Sequence, residues 1–194
     1  MVARWDRAVV EAFQHLHWGP ADWGFEQLSH WWVKSLVIIG IGLAADLASR
    51  RRFPLGAVFA GISYLVATVL ADVLKDVFDR PRPSLIDPDV HPLIRVPSSA
   101  AMPSGHAAGA FAAAVAVGLV HPRLRWPLLV LAALVALSRI WLGVHYLSDV
   151  LVGAALGIAA ALVVCRLGRA IAEGGAGSRL RGRPGSSGRV RRAR

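Results

Sequence analysis

Cysteine is nearly absent: the 194-residue chain holds one, Cys165. No intramolecular disulfide can form and no thiolate metal cluster can be built. Cys165 closes an apolar run, the position of a packing residue. Lysine is almost as scarce, two against twenty arginines, a bias that points to a GC-rich genome more than to a function. Charge of either sign is sparse, at 18% of residues against 55% hydrophobic, which argues against a soluble domain. Long polar linkers and internal repeats are missing too, so one domain is expected. The apolar residues stand in blocks rather than at amphipathic spacing, which makes the chain an integral membrane protein.

The net charge of +10 resembles a nucleic-acid signal until its distribution is followed. Residues 1–165 carry 13 Lys/Arg against 11 Asp/Glu, whereas 166–194 carry nine arginines against Glu173. The end of the chain, GGAGSRLRGRPGSSGRVRRAR, has almost nothing to bury. Residues 168–194 are therefore expected to be a disordered cytoplasmic tail lying against anionic lipid headgroups, with no nucleic-acid partner.

The apolar blocks define five spans: Trp31–Ala48, Leu55–Leu74, Ser104–Val120, Trp126–Gly143 and Leu147–Cys165. Each is roughly long enough to cross the hydrocarbon core. If they alternate, the Arg50–Arg52 turn, the Arg123/Arg125 turn and the basic tail share one side, which the positive-inside rule makes cytoplasmic. The ends of spans two and four and the starts of three and five then share the external face. Residues 1–32 place Trp5, Val9, Phe13 and Leu16 on one helical face. They suit an interfacial amphipathic segment with Trp5, Trp18, Trp23, Trp31 and Trp32 at headgroup depth; a sixth, partly inserted helix is the alternative. The segment is too polar for a cleavable secretion signal. Gly153 and Gly157 form a GxxxG pattern, expected to pack inside the bundle rather than to dimerise. The expected fold is thus an all-α helical bundle with about five to six transmembrane helices, its membrane domain covering residues 33–167.

Three polar stretches meet on the external face: KDVFDRPRP (75–83), PSGH (103–106) and SRIWLGVHYLSD (138–149). Ionisable groups inside a membrane domain are costly and mark functional sites or mutual pairs. Lys75, Arg82 and Arg139 supply three positive charges, as a phosphate dianion requires. Ser104 is placed to cap a helix, and Gly105 lets backbone N–H groups approach an anion there. His145 and Asp149, four apart, share a helical face; the carboxylate accepting one imidazole N–H leaves the other nitrogen free to attack phosphorus. His106 is then the acid that protonates the leaving oxygen. The bland alternatives are a structural His145–Asp149 pair, an Arg139–Asp149 ion pair, or metal ligation by His106 and His145, which has no evident third ligand. Asp72, Asp76 and Asp79 are expected to pair locally with Lys75 or Arg80 or to be solvated. His15, His17, His30, His91 and His121 show no partner pattern.

These stretches match, in order, KxxxxxxRP…PSGH…SRxxxxxHxxxD, all eleven specified positions being met. On them the chain resembles the type 2 phosphatidic acid phosphatase superfamily, over residues 75–149 and the surrounding helices. The resemblance implies a metal-independent and cofactor-free phosphatase with a phosphohistidine on His145, supported by Asp149. It puts His106 as leaving-group acid and Lys75, Arg82, Ser104, Gly105 and Arg139 around the phosphate. The expected substrate is a lipid phosphomonoester or diphosphate on the outer leaflet of the plasma membrane: polyprenyl diphosphate or phosphate first, phosphatidate or phosphatidylglycerol phosphate next. The loop Ser84–Met102 is a candidate lid, with Arg95 a candidate headgroup contact. Two rivals remain at this point, a vanadate-dependent haloperoxidase and a non-catalytic lipid-phosphate binder or transporter. Homo-oligomerisation is left open.

Overall fold

The computed structural model describes residues 4–30, 33–50 and 53–181. The expectations for Trp31, Trp32, Arg51, Arg52 and the last part of the basic tail (182–194) lie outside them. The elements run α1 (Arg4–Gln14), α2 (Gly19–Ser29), a π-helical turn (Val33–Val37), α3 (Ile38–Ala48), α4 (Leu55–Phe78), the short α5 (Pro83–Ile86), α6 (Gly105–Val120), a 3₁₀ turn (Pro122–Leu124), α7 (Arg125–Trp141) and α8 (Leu147–Arg181). Among the described residues there is no strand. The chain is an all-α membrane protein.

Helix α6 is the axis. It reads GHAAGAFAAAVAVGLV, and ten of its 16 residues are buried; an all-round apolar helix of this kind belongs inside a bundle. α3, α4, α7 and α8 pack around it. Small side chains permit close approach. A Cβ added at Gly153 of α8 would come within 2.5 Å of the Ser104 carbonyl, and one at Gly157 would collide with that of Ala108. The GxxxG pair therefore packs within the bundle, as expected from the sequence. Gly157→Val is expected to destabilise the fold by about 1–3 kcal/mol or to prevent it, read as a lowered unfolding midpoint of the detergent-solubilised protein. An unchanged midpoint would show that the α6–α8 contact is looser than described.

Three helical stretches are long and apolar enough to cross a membrane: Leu55–Ile86, Pro122–Trp141 and Leu147–Glu173. Spans one and three are found among the described residues as shorter apolar helices, over Ser35–Ala48 and Gly105–Val120, the latter with the expected bounds to within one residue. α6 is central, and a helix sheathed by others need not match the bilayer by itself. The lipid-facing surface falls instead to helices such as α4, whose Val58, Ile62, Leu65, Val69 and Val73 are exposed. The last helix runs on to Arg181, beyond both the expected span end at Cys165 and the start of the expected tail at residue 168. Cys165 is buried in the core.

Residues 4–29 are tied into the bundle. α1 packs on α7 and α8, and α2 on α7. The indole of Trp141 sits 4.6 Å from the ring of Phe25 and 5.9 Å from that of Phe13, and its Nε1–H donates to Asp22 at 2.8 Å. Trp5, Trp18 and Trp23 remain exposed. At the opposite end of the bundle His121 has a partner the sequence did not suggest. Its Nε2 lies 2.8 Å from Asp46, which also accepts the Ala57 N–H at 3.0 Å. The pair lies 75 residues apart in sequence, beyond any local pattern.

Candidate active site

Four breaks in the helices aim the polar residues at one end of the bundle. α4 carries Lys75 in its last turn and stops at Asp79, whose φ of 39° is left-handed, a conformation Asp tolerates better than most residues. The chain leaves extended through Arg82. α6 opens at Ser104-Gly105. α7 holds Arg139 in its last turn, and Gly143, with φ of 70°, reverses the chain so that His145 precedes α8. Asp149 occupies the first turn of α8.

A cavity of about 360 Å³ results. Lys75, Arg82, Gly105, His106, Arg139 and His145 all line it, so six of the eight residues expected at the site share one space. Tyr64, Thr68 and Asp72, from the same face of α4, line its wall. A larger cavity of about 650 Å³ lies beside Arg80, between Trp5, Phe78 and Ser148, and is lined by neither histidine.

The guanidinium of Arg82 is fixed by carbonyls: it donates to Ser99 at 2.9 Å, Val144 at 2.8 Å and Ala100 at 3.3 Å. Its Nη1 also lies 3.1 Å from His145 Nε2. Because guanidinium can only donate, that imidazole nitrogen is the acceptor and the ring proton sits on Nδ1, facing Asp149. The Nδ1–Oδ2 separation is 3.6 Å, longer than the hydrogen bond expected between them. Burial, followed by the cations of Arg139, Arg82 and Lys75, holds the His145 pKa well below the ordinary imidazole range. His145 is thus neutral with Nε2 unprotonated, the state a nucleophile requires.

Ser104 and Asp149 do not line the cavity. Ser104 stands at the start of α6 without the expected side-chain cap; its backbone N–H donates to the Asp149 carbonyl at 3.0 Å. Its hydroxyl and Arg139 Nε are buried with no hydrogen-bond partner among the described residues, a costly condition for polar groups. Asp149 lies behind His145, with Oδ2 accepting the Tyr146 N–H at 2.8 Å and Oδ1 accepting Arg80 at 2.6 Å. The expected alternative, Arg139 paired with Asp149, is not formed; Arg139 donates to the hydroxyl of Ser29. Lys75 does pair with Asp72, at 2.7 Å.

Three contributors went unnoticed in the sequence. Ser29, at the end of α2, engages Arg139 through its hydroxyl and accepts from His106 Nε2 through its carbonyl at 3.0 Å. Arg80 bridges Asp149 to Asp6 of α1. For Arg80 a signal exists, an arginine two positions before Arg82 in DRPRP. Ser29 and Asp6 carry none, because what they touch is more than 70 residues away.

One end of this bundle of membrane helices gathers three cations, two histidines and a helix N-terminus around one cavity, a concentration of positive charge that suits an anion. The PAP2 superfamily model matches residues 56–172, and the chain belongs to that superfamily. It is 33% identical over 117 residues to an undecaprenyl-diphosphatase of Bacillus subtilis, covering 60% of this chain but only 58% of that protein's length. It is 39% identical over 140 residues to a decaprenylphosphoryl-5-phosphoribose phosphatase of Mycobacterium tuberculosis, covering 68% of this chain and 71% of the other. Among solved structures, a transmembrane PAP2 type phosphatidylglycerolphosphate phosphatase from Bacillus subtilis superposes with TM-score 0.68 at 26% identity, over 86% of this chain and 85% of that one. A bacterial vanadium-dependent iodoperoxidase has the same TM-score at 18% identity, over 48% of its own length, a likeness of fold alone.

Proposed function

We propose that the protein is a membrane lipid phosphatase that cleaves a phosphomonoester or diphosphate through a phosphohistidine on His145. The observation that carries this is the single cavity in which an unprotonated Nε2 of His145, the imidazole of His106 and the side chains of Lys75, Arg82 and Arg139 converge. In the first step Nε2 attacks phosphorus, the bond to the leaving oxygen breaks, and His106 delivers a proton to that oxygen. In the second, water attacks phosphorus while giving a proton to the now neutral His106, the N–P bond breaks with its electron pair returning to Nε2 of His145, and phosphate leaves with His106 reprotonated. The three cations balance the charge on the transferring group's oxygens throughout. Ser104 and Gly105 complete the phosphate cradle at the start of α6, and Asp149 supports the ring of His145.

Polyprenyl diphosphate or a polyprenyl-linked phosphate is the preferred substrate, which accords with the names of the two polyprenyl-phosphatase relatives; phosphatidate and phosphatidylglycerol phosphate follow. The arginines of the 50–52 and 123–125 turns and of the tail favour an active site on the extracytoplasmic face of the plasma membrane, with residues 33–167 as the catalytic domain and the basic tail against anionic headgroups.

Phosphate release from a panel of polyprenyl diphosphate, phosphatidate and phosphatidylglycerol phosphate, each with and without chelator, tests this reading. Release from the first at the highest kcat/KM, indifferent to chelator, is expected. Loss with chelator and rescue by one divalent ion would replace the metal-independent route. Halide oxidation on addition of vanadate, without phosphate release, would favour the peroxidase chemistry.

A further inference from the structure

Behind the catalytic pair lies a second set of buried charges. The Arg80 guanidinium stands between two carboxylates, donating from Nη1 to Asp149 Oδ1 and from Nη2 to Asp6 Oδ2, both at 2.6 Å. Ser148 closes the set: its backbone N–H and its hydroxyl donate to Asp6 at 2.9 and 2.6 Å. The ring of Tyr146 lies 4.5 Å from the guanidinium carbon. Asp6 and Asp149 are 1% and 0% exposed. Burial of Asp6 favours its neutral form, but the hydrogen bonds from Ser148 and Arg80 outweigh it and hold its pKa below the ordinary carboxylate value. Asp6 is therefore charged at neutral pH.

We propose that Asp6, on the N-terminal helix, is a positioning residue for the phosphohistidine step: it neutralises Arg80, so that Asp149 keeps a full counter-charge for His145. This rests on the role given to His145 above. An imidazole phosphorylated on Nε2 that retains its Nδ1 proton is a cation, and Asp149 is the carboxylate beside that edge. Paired with Arg80 alone, Asp149 would be neutralised and the ring cation left uncompensated in a buried site. With Asp6 present, one cation is shared by two carboxylates, and the set keeps one net negative charge facing the ring. Arg80 still fixes the position of Asp149, because it grips only Oδ1 and leaves Oδ2 on the side of His145. The residue thus acts through Asp149 and touches no substrate.

A purely structural role, a clasp holding α1 to the bundle, makes different predictions. With a short-chain polyprenyl diphosphate as probe, Asp6→Asn is expected to lower kcat about 10- to 100-fold with KM nearly unchanged, while Asp6→Glu retains most of it. The decisive variant is Asp6→Asn with Arg80→Gln. Removing the cation as well leaves the charge of Asp149 unopposed, provided the comparison is made at about pH 8 or above, where a buried carboxyl that has lost its guanidinium partner is still ionised; kcat there recovers several-fold over Asp6→Asn alone. A clasp predicts that the double variant is no better than the single one; that result, or wild-type kcat in Asp6→Asn, overturns the proposal. Should Asp6→Asn fail to fold, the same pair of measurements is made with Asp6→Ser and with Asp6→Ser plus Arg80→Gln, which remove the same charge with a smaller side chain; wild-type kcat in folded Asp6→Ser, or a double variant no better than the single one, also overturns it. Trapping an acid-labile phosphoenzyme from labelled probe in wild type, and its absence in His145→Ala, is run in parallel. Its failure counts against His145, not against Asp6.

Discussion

His145→Ala, purified as a monodisperse membrane protein, is expected to lose turnover by at least about 10⁴-fold, in the range seen when a covalent nucleophile is removed. The ring is 3% exposed and lies against Arg82 and Val144 at the turn into α8, so part of the folding energy goes with it. Truncating a buried imidazole to a methyl group leaves a cavity worth about 2–4 kcal/mol, which a bundle of this size can lose and still assemble. Its unfolding midpoint and chromatographic profile therefore belong beside the rate. The substitution also removes the acceptor of one Arg82 N–H, but that guanidinium keeps the carbonyls of Ser99, Ala100 and Val144. Phosphate binding should accordingly survive, and inorganic phosphate should still protect the variant against thermal unfolding. A folded variant that releases phosphate at the wild-type rate would falsify the phosphohistidine mechanism.

The second large effect depends on the leaving group. His106→Ala is expected to cost about 10²- to 10⁴-fold on a lipid phosphomonoester, whose alkoxide must be protonated as it departs. On an aryl ester such as p-nitrophenyl phosphate, or on a diphosphate, the leaving oxygen is already a stable anion, and the loss should shrink toward tenfold or less. The contrast separates a proton donor from a mere wall of the cavity, because a wall would affect every substrate alike. Equal losses across the three substrates would remove His106 from that role. The Ser29 carbonyl, 3.0 Å from its Nε2, is one contact on this ring, and it comes from a helix outside all three sequence stretches.

The chain's composition, its block hydropathy and the residues at 75–83, 103–106 and 138–149 settled a good deal by themselves. A run of about 17 to 20 apolar residues without alternation, placed in lipid, forms a helix, because the backbone must bond within the segment itself. That made the fold class legible. Strict spacing within each stretch also made Lys75, Arg82, His106, Arg139 and His145 legible, since one helical turn or one tight turn sets where such residues point. The same locality explains the Gly153/Gly157 packing and the Lys75–Asp72 pair.

Only the tertiary structure decided the rest. Helix α6 proved to be the innermost, and hydropathy does not register which helix that is. Ser104 proved to be a backbone tie to Asp149 rather than a side-chain cap. Arg80 took the carboxylate of Asp149 rather than that of a neighbouring aspartate, and Asp6 reached Arg80 from across 74 residues. Asp46 and His121 found each other at the other end over a similar separation. A sequence pattern records what one element must do locally. Which buried charge meets which depends on how separate helices pack, and in a low-dielectric interior each such charge must find a partner wherever the fold brings one.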